Sequence, residues 1–199
     1  MADDKQSRDK QAHDAERRQQ ERELDAALER ADEPRPPIDE TDLGEVEAEL
    51  EGVSFPATGR ELVAVVGDRT VESPEGSYAV GDLLPDTDVE TFDAPASVTG
   101  RIQRPTVAAA MKRILEAAET LPDETLKGSQ WTAYDRTFQE LEAIDAVDDD
   151  EGIDVIADWV VGRIHEKGTL PGSRAVRREA AKLCRTSGYE IRNDEWLGV

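Results

Sequence analysis

The stretch VAAAMKRILEAAETL, residues 107–121, decides how this chain is read. Stepped at about 100° per residue, Ala110, Met111, Ile114, Leu115, Ala118 and Leu121 fall within about 80° of Val107, and Lys112, Arg113, Glu116 and Glu119 fall outside that arc. An apolar stripe of that width backed by charge predicts an amphipathic helix that packs on a neighbour. The same period recurs downstream. Trp131, Tyr134, Phe138, Leu141 and Ile144 follow one another by threes and fours and predict a helix over 130–144. The acidic run Asp148-Asp149-Asp150-Glu151-Gly152 interrupts the pattern. Ile153, Ile156, Ala157, Val160, Val161 and Ile164 then predict a third helix over 153–167. A fourth is expected to begin at Ser173, whose hydroxyl is placed to cap it, and to stop at Gly188.

Upstream the elements are shorter. Thr58 with Glu61 three residues on forms a capping box, predicting a helix over 59–66 that Gly67 ends. Arg69-Thr70-Val71-Glu72 and Ser77-Tyr78-Ala79-Val80 flank Ser73-Pro74-Glu75-Gly76 and read as a small hairpin. Asp82-Leu83-Leu84 makes a helical turn ended by Pro85, and Asp93 is the expected cap of a helix reaching about Arg104. Residues 1–33 carry only Leu24 and Leu28 as bulky apolar groups after Met1, too few to bury a core. The acidic stretch 38–51, with Leu43, Val46 and Leu50, is expected to dock weakly or stay disordered. The chain therefore reads as mainly α, in three parts. These are a charged arm over 1–52, largely disordered or a single helix; a small helical module with a short hairpin over 53–104; and a module of about four helices over 105–199, ending in a basic helix over 173–187.

The composition sets the environment. The 199 residues hold 46 Asp and Glu against 24 Lys and Arg, a net charge of -22, and the basic residues divide into 18 Arg and 6 Lys. Many carboxylates with little lysine match the habit of salt-accumulating archaea. High net charge keeps a protein soluble while destabilising its compact form by self-repulsion, which molar salt screens. Cys184 is the one cysteine, so no internal disulfide is expected. The lack of any run of about 18 apolar residues argues against a membrane span. The cytoplasm is the expected location.

Phe55-Pro56-Ala57-Thr58 with Glu61-Leu62, then Gly81-Asp82-Leu83-Leu84 and Phe92-Asp93-Ala94-Pro95, resembles small uncharacterised domains of haloarchaea and some bacteria. The ending from Gly188-Tyr189-Glu190-Ile191 through Trp196-Leu197-Gly198 is similar to haloarchaeal proteins of unassigned role. The resemblance implies an organism class and a small helical module, with no activity attached.

Charge is also unevenly distributed. From Arg163 to Arg192 eight basic residues face three acids, a balance of +5 that leaves -27 for the rest of the chain. On a helical wheel Arg174, Arg177, Arg178, Lys182 and Arg185 share an arc of about 140°, opposite Val176, Ala180, Leu183 and Cys184. These five are the candidate binding residues. They predict a non-enzymatic interaction or regulatory protein whose basic helix contacts an anionic partner, an acidic protein surface or nucleic acid. The other class is a DNA- or RNA-binding regulator using the same helix. A purely structural reading pairs these cations with the chain's own acids, such as those of 148–151. The order helix, connector 168–172, basic helix suits a helix-turn-helix, although that connector is longer than the usual three to four residues.

No catalytic, cofactor-binding or metal-binding residue is nominated. His165 falls on the polar side of its helix between Asp154 and Asp158, and Cys184 falls on an apolar arc, so the two are not expected to form a nucleophile and base. His13 has no companion ligand at zinc spacing, and the acids of 148–151 do not alternate as in a calcium loop. Phosphate-loop, dinucleotide and nucleophile-elbow motifs are missing. Trp131 is expected in the core, Trp159 at the border of its apolar face as part of an interface, and Trp196 as an anchor for the tail.

Overall fold

The structure, a computed structural model, describes residues 36–74, 76–122, 128–144 and 151–188. The arm 1–33 with Leu24, Leu28 and His13, the acids Asp148, Asp149 and Asp150, and the tail with Arg192 and Trp196 lie outside the described residues. Among the described residues the chain is mainly helical, with eight α-helices and two short antiparallel strand pairs.

A 3-10 turn, Glu40–Leu43, runs directly into α1, Gly44–Leu50. Ile38, Leu43, Val46 and Leu50 are all buried, and the Ile38 amide donates to the Gln103 carbonyl at 3.1 Å. The acidic stretch expected to dock weakly or stay disordered is thus a wall of the core. Spacings of three and four give it one continuous apolar edge, and its acids face outward, where Glu49 pairs with Arg69.

β1, Ala57–Thr58, pairs with β4, Thr91–Phe92, and brings the start of α2, Gly59–Val66, against the loop after Pro85. Thr58 and Glu61 form the expected capping box, with the Glu61 amide donating to Thr58 Oγ1 at 3.3 Å and the Thr58 amide to Glu61 Oε2 at 2.8 Å. Glycine is required at residue 59, since a Cβ there would lie 2.2 Å from the Pro85 carbonyl oxygen. β2, Thr70–Ser73, and β3, Gly76–Ala79, make the expected hairpin with Val71 opposite Tyr78. The single turn α3, Val80–Leu83, follows at once.

α4, Pro95–Ile102, corrects one expectation. Its N-cap is Ala94, with no side-chain cap, so Asp93 does not play that part. Pro95 takes the first helical position, where its fixed φ sets the entry and no amide needs a partner. The helix ends at Ile102, just short of Pro105, which opens α5, Pro105–Ala118. Then come α6, Gly128–Ile144, α7, Glu151–Lys167, and α8, Ser173–Ser187.

Two apolar cores meet at α5. Ala108 packs with Leu43, Leu62, Leu83, Val98 and Ile102 in the first. Val107, Met111, Ile114 and Leu115 pack with Tyr134, Phe138, Ile156, Val160 and Ala180 in the second. A polar seam joins the halves beside that helix. Arg101, about 10% exposed, binds Glu90 at 3.0 Å, lies 3.6 Å from Asp135 on α6 and sits over the Phe92 ring. Arg104 pairs with Glu142, also on α6. Burial raises the pKa of Glu90 above its ordinary value, against the opposing pull of Arg101.

Candidate partner-binding face

The basic helix is set in place by its inner face and its connector. Val176, Ala180, Ala181 and Cys184 are buried against α6 and α7, which leaves the opposite side of α8 to solvent. Just before α8 the Pro171 carbonyl accepts from the Tyr134 hydroxyl and, at 2.6 Å, from Gln130 Nε2. Two donors from α6 therefore fix the connector. Burial pushes the Tyr134 pKa up to about 12, so the hydroxyl keeps its proton for this bond through the physiological range. The N-cap of α8 is Gly172, and Ser173 does not cap the helix as expected. Its backbone is already helical, so the residue that receives the first-turn amides is Gly172, whose carbonyl accepts from Ala175 at 2.8 Å.

Arg174, Arg178, Lys182 and Arg185 are exposed along α8, and Arg177 is half-buried and engaged in a further contact. Lys182 pairs with Glu179 at 2.8 Å on its own helix. Arg178 Nε and Arg185 Nε reach back to the Arg174 and Ala181 carbonyls at 3.4 and 3.1 Å. Among the described residues Arg174, Arg178 and Arg185 have no ion pair with a carboxylate. Most arginines of the body behave otherwise, the exceptions being Arg136, exposed on α6 without a carboxylate partner among the described residues, and Arg163, which stacks on Trp159. Arg60 gathers Asp86, Asp88 and Glu119; Arg113 binds Asp154 and Asp158; Arg69, Arg101 and Arg104 each hold an acid. Of the acids suggested as internal partners, Asp148, Asp149 and Asp150 lie outside the described residues, and Glu151 is exposed.

Beside the stripe lies a groove of about 170 Å³ between α7 and α8, lined by Val155, Ile156, Trp159, Leu183 and Thr186, with Glu179 and Lys182 on its rim. Val155 is 46% exposed, one of two large hydrophobic residues so exposed among the described residues, the other being Val65 on α2. Trp159 is half-buried with Arg163 stacked 5.2 Å from its ring centre. The expected border position of Trp159 is what the structure has. Val155 escaped the sequence reading, and its only signal was an aliphatic residue out of phase with the stripe of its helix.

Cys184 is buried in the second core, and His165 is exposed on α7. Among the described residues no cluster of His, Cys, Asp and Glu is arranged to hold a metal ion, and no helix is long and apolar enough to cross a membrane. Trp131 is buried edge-on to Tyr134 with ring centres 5.8 Å apart.

No curated protein and no solved structure matches the chain. Residues 37–114 match a family of unknown function (DUF5789), a span that ends within α5 and leaves the basic helix and its groove outside it.

Proposed function

We propose that the protein is a non-enzymatic interaction or regulatory protein, and that the outer face of α8 contacts an acidic protein surface. The observation that carries this reading is the contrast among arginines. Arg60, Arg69, Arg101, Arg104 and Arg113 of the body are matched with carboxylates and Arg136 stands exposed by itself on α6, whereas Arg174, Arg178 and Arg185 are gathered on one helix, exposed and without such a match among the described residues. In a chain of net charge -22, unmatched cations gathered on one helix favour a negatively charged partner. A protein partner is favoured over nucleic acid by the apolar groove next to Lys182, because a phosphate backbone offers nothing to fill it.

The setting is a salt-adapted archaeal cytoplasm. It is supported by the acid excess, the scarcity of lysine and the resemblance of the Phe55–Thr58 stretch. At molar salt, exposed ion pairs are strongly screened, so the apolar groove would supply affinity while the cations select the partner.

The test compares the full chain with Arg174→Glu/Arg178→Glu/Arg185→Glu, each recovered from a salt-rich host in molar KCl. The wild type should retain an acidic protein that the variant loses while keeping its helical circular dichroism. Retention of DNA or RNA in place of protein would favour the nucleic-acid regulator, and equal retention by both forms would remove α8 from the reading.

A further inference from the structure

The groove between α7 and α8 has banks of opposite charge. Val155 stands at its α7 lip. Stepped at about 100° per residue, Glu151 and Asp158 lie about 40° and 60° from Val155, on the side away from the buried Ile156. Lys182 stands at the α8 lip, and Arg178 and Arg185 lie about 40° and 60° from it, on the side away from Leu183. Glu151, Asp158, Arg178, Lys182 and Arg185 are all exposed. The two helices run in opposite directions, since the groove sets Val155 and Trp159, from the first half of α7, beside Lys182 and Thr186, from the second half of α8. An acidic bank, an apolar strip and a basic bank therefore lie side by side.

A surface ordered in that way is complementary to itself. Half a turn about an axis running along the groove lays α7 of one copy over α8 of the other, and does so twice. Glu151 and Asp158 then face Arg178 and Arg185, and the strip of Val155, Trp159 and Leu183 meets its own counterpart. Half a turn about an axis across the groove would instead set α7 on α7 and α8 on α8, like charge on like. The charges are available for such contacts. Glu151 has no ion pair among the described residues, and Asp158, although bound by Arg113, keeps a side chain 70% exposed. Arg178 and Arg185 reach only carbonyls of their own helix. A face about 25 Å long and two helices wide covers about 500 Å² per copy, near the lower limit for a specific interface. The resulting dimer would exchange with monomer. A net charge of -22 opposes association in dilute salt, but molar salt confines that repulsion to roughly 3 Å and leaves apolar burial intact.

We propose that the acidic surface met by α8 is α7 of a second copy of this chain, in a two-fold dimer whose axis runs along the α7–α8 groove. This rests on the function read for α8 and names its partner.

The experiment is sedimentation equilibrium of the full chain in molar KCl over a concentration series. The wild type should show a reversible monomer–dimer equilibrium, and Val155→Asp should raise its Kd about tenfold with unchanged helical circular dichroism. Arg178→Glu/Arg185→Glu and Glu151→Lys/Asp158→Lys should each dimerise several-fold more weakly than wild type. Their equimolar mixture should recover the loss, because each then offers the bank that the other needs. If losing the Arg113 contact at Asp158 unfolds the second variant, Glu151→Lys alone takes its place. A wild type that is monomeric at every concentration overturns the dimer, as does a dimer indifferent to Val155→Asp or a mixture no tighter than its components. A monomer that still retains a foreign acidic protein, lost in Arg174→Glu/Arg178→Glu/Arg185→Glu, overturns the second copy and leaves the reading of α8 standing.

Discussion

The Tyr134 hydroxyl donates its proton to the Pro171 carbonyl, and this one bond ties the middle of α6 to the residue pair that precedes the basic helix. The contact spans 37 residues of sequence. It converts a connector with two glycines and a proline into a fixed support, so the direction of α8 depends on a side chain in the second core.

Replacing Tyr134 by Phe keeps the packed ring and deletes the bond. Gln130 still donates to Pro171, so the carbonyl is not orphaned, and the expected loss is about 1 kcal/mol in denaturant unfolding. The pH dependence has a definite sign. With its folded pKa raised to about 12, Tyr134 contributes stability that is complete below the ordinary tyrosine range and is lost as pH rises through that range towards about 12. Spectrophotometric titration should show one late phenolate step, absent in Tyr134→Phe.

Leu50 is fully buried in the first core although it belongs to an acidic, weakly patterned stretch. Leu50→Ala should therefore cost about 2–5 kcal/mol, the penalty of a core cavity, as measured by urea unfolding. A cost below about 0.5 kcal/mol would mean that α1 is dispensable to the core.

Glu90 lies in the seam with its pKa raised chiefly by burial. The folded state therefore holds a proton that the unfolded state releases earlier, and stability falls as pH rises from the ordinary carboxyl value through the raised one. Unfolding of Glu90→Gln followed across that window should lack this component of the slope. A slope identical to wild type would mean that Arg101 cancels the effect of burial.

Arg178 and Arg185 are exposed and their charged ends reach only backbone carbonyls of their own helix, so single changes of either to Gln should alter stability by no more than about 0.5 kcal/mol in thermal unfolding. A larger loss would assign the basic stripe to the fold and weaken its case as a binding face.

Much of this architecture was legible because period alone carries it. Val107, Met111, Ile114 and Leu115 point one way on any helix, and all four are buried. The Thr58 and Glu61 box was legible because both partners sit within one turn. Caps that depend on where the first helical residue falls were not, and at Asp93 and Ser173 a plausible acceptor stands one residue from the position that needs it. The β1 and β4 pair has two residues a side, too short to show alternation, and its partners are separated in sequence by α2, the β2–β3 hairpin and α3. Leu43, Val46 and Leu50 were visible as apolar residues, but their burial depends on a surface built by residues 57–108. For the candidate face, the wheel showed which cations share an arc. It could not show that Arg177 is half-buried, or that Val155 opens a groove beside Lys182.

Because α5 lends one side to each core, neither half owns a complete interior. Heating or denaturant should find no stage at which residues 38–102 have melted and residues 128–188 persist, since losing α5 removes a wall from both. A fragment trimmed to the family span would break off at Ile114, one turn short of the end of that helix, with Met111 and Ile114 bared to water. The recognisable portion of the sequence is thus smaller than the portion that can stand alone.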